Sequence, residues 1–84
     1  ALALYEEALP ILRAVGDRAG GAATLSNMAV LLYQQLERAP DGIRRMVEAI
    51  TVLEHTGLSR DASGATVEQL QAWLTAMRAG KPLW

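Results

Sequence analysis

The stretch YEEALPIL at residues 5–12 decides the fold, because it recurs as MVEAITVL at residues 46–53, 41 positions (46 minus 5) along the chain. A second stretch, ATLSNM at residues 23–28, recurs as ATVEQL at residues 65–70, after 42 positions (65 minus 23). Similarity at a fixed period is the sequence signature of repeat proteins. The 84 residues therefore divide into two units of about 42 residues each. The identical pairs in the first alignment are Glu7 and Glu48, Ala8 and Ala49, Leu12 and Leu53, and Gly16 and Gly57.

The composition favours helices over strands. Ala occurs 15 times and Leu 13 times, whereas Val and Ile together occur eight times and Phe is absent. The lack of Cys rules out a disulfide framework, a Cys-based zinc or redox site and an iron–sulfur cluster. The net charge of -1 argues against nucleic acid and anionic membranes as partners. No apolar run reaches the ~18 residues of a membrane span.

The pattern predicts an all-α domain of four helices, at about residues 2–15, 18–37, 42–56 and 60–79, with a tail at 80–84. Short loops make successive helices antiparallel neighbours. Three of the predicted helices end at a glycine, which readily adopts the left-handed conformation of a helix C-terminus: Gly16, Gly57 and Gly80.

Polar residues mark the predicted helix starts. Asp17 caps the second helix, Asp41 caps the third after a turn at residues 39–42, and Ser59 caps the fourth, with Ser63 as an alternative start. Pro10 lies inside the first helix and is expected to bend it.

The predicted core alternates small and large residues. Small residues stand where helices cross, at Ala8, Ala29 and Ala49, and larger ones fill the gaps, at Tyr5, Leu9, Leu12, Met28, Leu32, Met46, Ile50 and Leu53. The fourth helix has one apolar face (Val67, Leu70, Leu74, Met77) and one polar face (Glu68, Gln71, Thr75, Arg78), which is typical of the terminal helix of a stack. The first helix is apolar on nearly every side and leaves a narrow polar strip.

Residues 4–12, 16–20 and 22–29 resemble the tetratricopeptide repeat (TPR) family, in its longer version of about 40–42 residues that occurs in bacterial signalling proteins and kinesin light chains. Each unit of that family is a helix A followed by a helix B. The resemblance implies the order B-A-B-A here, as a fragment of a right-handed α-solenoid. The match weakens after residue 36: Met46 stands in the place of Tyr5, and Gln71 in the place of Ala29.

The resemblance implies a protein–protein interaction scaffold rather than an enzyme, without a cofactor or metal. In that family the A helices line a groove for a peptide or a partner helix. Asn27 is the strongest candidate, because an amide both donates and accepts hydrogen bonds. Without Lys or Arg beside Asn27, an acidic C-terminus is disfavoured as ligand. The groove positions are Ala23, Ser26, Asn27, Val30, Tyr33 and Gln34 in the second helix and Glu68, Gln69, Ala72 and Thr75 in the fourth.

The alternative function is self-association through the apolar first helix, with Leu2, Leu4, Ile11 and Val15 as the contact face. Repeat arrays need about three units for stability, so a two-unit piece is expected to form a homo-oligomer or to end a longer array. The start at Ala1, without Met and apparently within a helix, suggests a piece of a larger protein, and the polar face of the fourth helix suggests that this piece is its C-terminal part. Seven Arg against one Lys suggest a bacterial source, and the expected location is the cytoplasm.

Other chemistry has weak support. Ser59 or Ser63 with His55 and Asp61 could be named as a catalytic set, but no nucleophile motif accompanies them, and His55 is expected at the surface. Arg44 and Arg45 are expected on a solvated charged face. The tryptophans, Trp73 and Trp84, are expected to cover the core edge or to anchor an interface.

Overall fold

A computed structural model describes residues 2–83 of the chain. Its order is α1 (Leu2–Ala14), α2 (Arg18–Val30), a π-helical turn (Leu31–Gln35), α3 (Ala39–Thr56) and α4 (Val67–Arg78). The all-α prediction is confirmed. Successive helices pack against one another, α1 on α2, α2 on α3 and α3 on α4. Within the described range the only extended pairing is an isolated antiparallel bridge between Arg60 and Thr66.

The second helix changes its winding after Val30. The amide of Leu36 donates to the carbonyl of Leu31 at 3.1 Å, five residues back, which is the π pattern rather than the α pattern. The predicted α-helix to residue 37 is therefore wrong beyond Val30, and Glu37 takes a positive φ of 53°. Such π turns are rare and frequently lie at functional sites.

The three predicted glycine stops are confirmed by their hydrogen bonds. Gly16, Gly57 and Gly80 have φ of 75°, 72° and 70°. After each, the next residue donates back across the helix end; for example, the amide of Lys81 reaches the carbonyl of Ala76 at 2.9 Å, and the amide of Gly80 that of Met77 at 3.1 Å. This pair of bonds is the Schellman motif, which satisfies the last carbonyls of the helix and turns the chain sharply.

The helix starts follow the prediction less closely. Asp17 caps α2 as expected, because its Oδ1 accepts from the amide of Gly20 at 2.8 Å. The third helix begins at Ala39 with Arg38 as N-cap, so the predicted turn at 39–42 and the Asp41 cap are wrong. Pro40 fits this start because the first helical turn needs no amide from it. Asp41 lies inside that turn and binds the Arg38 guanidinium at 2.7 Å.

The fourth helix begins seven residues later than predicted, at Val67 rather than residue 60, with Thr66 as its N-cap. Asp61 explains the delay. Its Oδ1 accepts from the amides of Ser63 at 2.9 Å and Ala65 at 3.0 Å, and from the Ser63 hydroxyl at 2.6 Å. These local bonds replace those of a helix, so neither Ser59 nor Ser63 caps one.

The core lies where the sequence predicts it. One buried cluster draws on all four helices, and the partly buried Val67 and Leu74 of α4 pack against it. Ala29 and Ala49 are fully buried, as expected at helix crossings, whereas Tyr5, Ala8 and Leu12 on α1 are partly exposed. On α4 the apolar face packs inward and the polar face is exposed. The largest buried side chains are Leu25, Met28, Met46, Leu53 and Leu70.

Candidate functional site

A cleft of about 250 Å³ lies on the side of α2 that carries Asn27 and Val30. α1 contributes Tyr5 to its lining and α4 contributes Trp73. The π turn contributes Leu31 and Gln35. The lining residues are Tyr5, Asn27, Val30, Leu31, Gln35 and Trp73. The cleft thus combines two aromatic rings, two aliphatic side chains and two amides.

Two of the predicted groove residues, Tyr33 and Gln34, lie in the π turn and outside the cleft lining, where they bind a segment of the same chain. The hydroxyl of Tyr33 donates to the carbonyl oxygen of Lys81 at 2.6 Å. The side-chain oxygen of Gln34 accepts from the amide of Leu83 at 2.9 Å. We call residues 81–83 the C-terminal segment; Trp84 lies outside the described residues.

Two predicted groove residues are buried within the fold. Ser26 is only 3% exposed, and its hydroxyl donates to the carbonyl of Ala23 at 2.9 Å and to the Asp61 carboxylate at 3.3 Å. Ala23 is 8% exposed. The prediction that they line a groove is therefore wrong. Ser26 is buried because Asp61, on the long loop before α4, contacts it.

The predicted positions on α4 are exposed but do not line the cleft. Glu68, Gln69, Ala72 and Thr75 lie on the solvent side of the helix, and Thr75 bonds to the carbonyl of Gln71 at 3.0 Å. The residue of α4 that does reach the cleft is Trp73, which also packs against the core.

Sequence reasoning missed four lining residues. Tyr5 was assigned to the core, and Trp73 to the core edge. Leu31 and Gln35 are absent from the predicted groove positions. A signal was available for both: they follow Asn27 at intervals of four, the spacing that puts residues on one helix face.

The exposed face of α1 is narrower than predicted. Leu4, Ile11 and Val15 are 69%, 64% and 72% exposed and lie seven and four residues apart, on one stripe. Leu2 does not belong to it, because its side chain packs against the core cluster. The correction follows from helical geometry, since Leu2 shares a face with the buried Leu9 seven residues later.

The catalytic set considered from the sequence does not assemble. The described contacts of the Asp61 carboxylate are with Ser26, Ser63 and Ala65, and His55 is exposed at the end of α3. Arg44 and Arg45 form ion pairs with Asp41 at 3.4 Å and Glu48 at 3.2 Å. This matches the expected charged surface, so the arginines are not a free anion site.

In the part that the structure describes, no helix combines the length and hydropathy needed to cross a membrane. Comparison with family models, with curated proteins and with solved structures gave no significant match.

Proposed function

We propose that this chain is a protein-interaction module whose binding surface is the cleft on α2. The observation that carries the proposal is the cleft itself, where Tyr5 and Trp73 from different helices flank Asn27 and Val30. Aromatic side chains give large contact area with a polar edge, and they are enriched at protein interfaces.

Asn27 gives this surface its means of orienting a peptide. Its side chain is exposed on α2, and an amide can donate to a peptide carbonyl and accept from a peptide N–H. Gln35, eight residues after Asn27, provides a second amide in the lining of the cleft. Val30 and Leu31 supply apolar surface between the amides, so we infer that an extended peptide with one apolar side chain is the ligand.

The TPR-like resemblance supports the same class of function. We propose that the four helices form two out-of-phase units of a right-handed helical-repeat array in a bacterial cytoplasmic protein. The sequential packing of α1 to α4 and the shared register of Met28 with Leu70 and Leu32 with Leu74 agree with this proposal.

The test is selection of binding peptides from a random library on the full 84-residue chain. We expect selected peptides to shift the NMR signals of the Asn27 side-chain amide and the Trp73 indole. Asn27→Ala is expected to weaken binding about tenfold, since removing a hydrogen-bond partner in an interface costs about 1.4 kcal/mol. Gln71→Ala is the matched control, because Gln71 is an exposed amide that contacts Glu54 instead. Equal losses in both variants would contradict the proposal.

Self-association through α1 is a second candidate, which the exposure of Leu4, Ile11 and Val15 favours. The stripe is self-complementary in an antiparallel pair of α1 helices. There Leu4 would face Val15 of the other copy, and the small Ala8 would face Ile11. In an antiparallel pair, facing residues have numbers with a constant sum, and 4 plus 15 equals 8 plus 11. Such a two-fold interface uses the same patch on both copies. Light scattering of the intact chain at tens of micromolar tests it, and a monomeric mass would exclude it.

A further inference from the structure

We infer that Tyr33 and Gln34 form a peptide subsite that selects an extended X-Pro-apolar sequence, and that Lys81-Pro82-Leu83 is its resident ligand within the chain. The inference rests on the proposed function, because it adds a second peptide-binding site on the π turn that also supplies Leu31 and Gln35 to the cleft. It also identifies the chemistry of the ligand, which the cleft alone leaves open.

The two hydrogen bonds read the backbone of the segment rather than its side chains. Tyr33 donates to the carbonyl of Lys81, and Gln34 accepts from the amide of Leu83, two residues later. In an extended chain the backbone groups of residues i and i+2 point to the same edge. One edge of the segment is therefore bonded to two side chains of the π turn.

Pro82 fits the middle position for two reasons. Its missing amide would point to the opposite edge, where no partner is required. A proline also biases the preceding residue to extended backbone, which is the conformation that presents the Lys81 carbonyl to Tyr33. Pro82 lines a broad cleft together with Tyr33, Gln34 and Met77.

The third position selects for an apolar side chain. Leu83 is partly buried and packs against the core cluster, whereas Lys81 is exposed. A lysine is therefore not required at the first position. The Schellman turn at Gly80 directs the segment back onto the helices, so its local concentration at the subsite is high.

An external peptide must displace this segment to occupy the subsite. A tethered ligand competes at an effective concentration that reaches millimolar for short links. Apparent affinity for an external peptide falls in proportion to the fraction of chains whose subsite is open. The resident segment therefore lowers the apparent affinity of this subsite for an external peptide.

The probe is acetyl-Gly-Lys-Pro-Leu-amide, which copies residues 80–83, added to the full chain and followed by NMR. Leu83→Asp removes the apolar anchor and is expected to bind the probe at least tenfold more tightly than the unchanged chain, with shifts at Tyr33 and Gln34. Leu58→Asp is the matched control at an exposed leucine outside the groove, and its affinity should equal that of the unchanged chain. Adding Tyr33→Phe to Leu83→Asp should weaken probe binding again, and a probe ending in Asp should not bind.

A second measurement needs no variant. Saturating probe is expected to accelerate hydrogen exchange at the Leu83 amide of the unchanged chain, because that amide loses its bond to Gln34. Unchanged exchange at saturation, equal affinity of the Leu83→Asp variant and the unchanged chain, or shifts elsewhere would each overturn the inference. If the probe does not bind while library-selected peptides still shift the NMR signals of Asn27 and Trp73, the inferred subsite is wrong and the proposed function stands. If both fail, the proposed function is also wrong.

Discussion

Gly42 and Ala29 approach so closely that a Cβ on Gly42 would lie 2.9 Å from the Ala29 carbonyl oxygen. It would also lie 3.1 Å from the Cβ of Tyr33. The start of α3 therefore rests directly on the backbone where α2 passes into the π turn. This contact fixes the element that carries both the cleft and the subsite for the C-terminal segment.

Gly42→Ala is accordingly expected to lower the free energy of unfolding by about 1–3 kcal/mol, the usual cost of overpacking a tight contact. The control is Gly21→Ala, at another buried glycine in a helix, where the new Cβ would meet only the Leu9 Cδ1 at 4.0 Å. Since Ala favours a helix over Gly by about 1 kcal/mol, this variant is expected to be neutral or stabilised. Chemical denaturation measures both, and equal stability of the two variants would show that the contact with Ala29 is not tight.

Asp61→Ala is expected to destabilise the chain by about 2 kcal/mol, because the part-buried amides of Ser63 and Ala65 and the buried Ser26 hydroxyl lose their shared acceptor. Asp61 is only 5% exposed, so water cannot fully replace the carboxylate. Ser26→Ala provides the comparison: it removes one hydroxyl, with its 3.3 Å bond to Asp61 and its 2.9 Å bond to the Ala23 carbonyl, but leaves the Asp61 bonds to Ser63 and Ala65 in place, so it is expected to cost less. Thermal unfolding with both variants checks the ranking, and the reverse order would contradict the assigned role of Asp61.

If the exposed stripe on α1 is a dimer contact, charged residues on it will change the molecular mass of the chain in solution. Leu4→Glu combined with Ile11→Glu is expected to convert a dimer to a monomer without loss of helical circular dichroism, because both side chains are more than 60% exposed. Leu12 is unsuitable for this test, since it is partly buried on the inner side of α1. Ala3→Glu with Ala14→Glu is the control, because these exposed residues lie off the stripe. Light scattering gives the masses, and an unchanged dimer in the stripe variant would exclude α1 as the contact.

Much of the fold was predictable because local rules decided it. The glycine stops at Gly16, Gly57 and Gly80 and the cap at Asp17 depend on backbone conformation and a side chain within three residues. The apolar spacing likewise placed Met28, Leu53 and Leu70 in the core.

Several failures have a different origin, namely contacts between distant parts of the chain. The burial of Ser26, which takes it out of the predicted groove, depends on Asp61, 35 residues away. The π turn coincides with the close approach of Gly42, and the occupation of Tyr33 depends on Lys81, 48 residues away. A repeat offset of 42 placed the core register of α4 correctly but could not reveal that residues 60–66 form a loop.

The site was predictable to a similar extent. Asn27 and Val30 lie in the cleft as a helix-face argument requires, whereas Ser26 does not. Tyr5 and Trp73 could not be placed beside them from the sequence, because that requires the relative positions of α1, α2 and α4.

The central claim is that the cleft on α2 binds an extended peptide, and intermolecular nuclear Overhauser effects test it most directly. A peptide selected on the full chain would be bound to isotope-labelled protein, and contacts from its protons to the protein would be assigned. We expect contacts to the Val30 methyls and the Trp73 indole, together with the Asn27 side-chain amide. Contacts confined to Leu4, Ile11 and Val15, or the absence of any selected peptide, would contradict it.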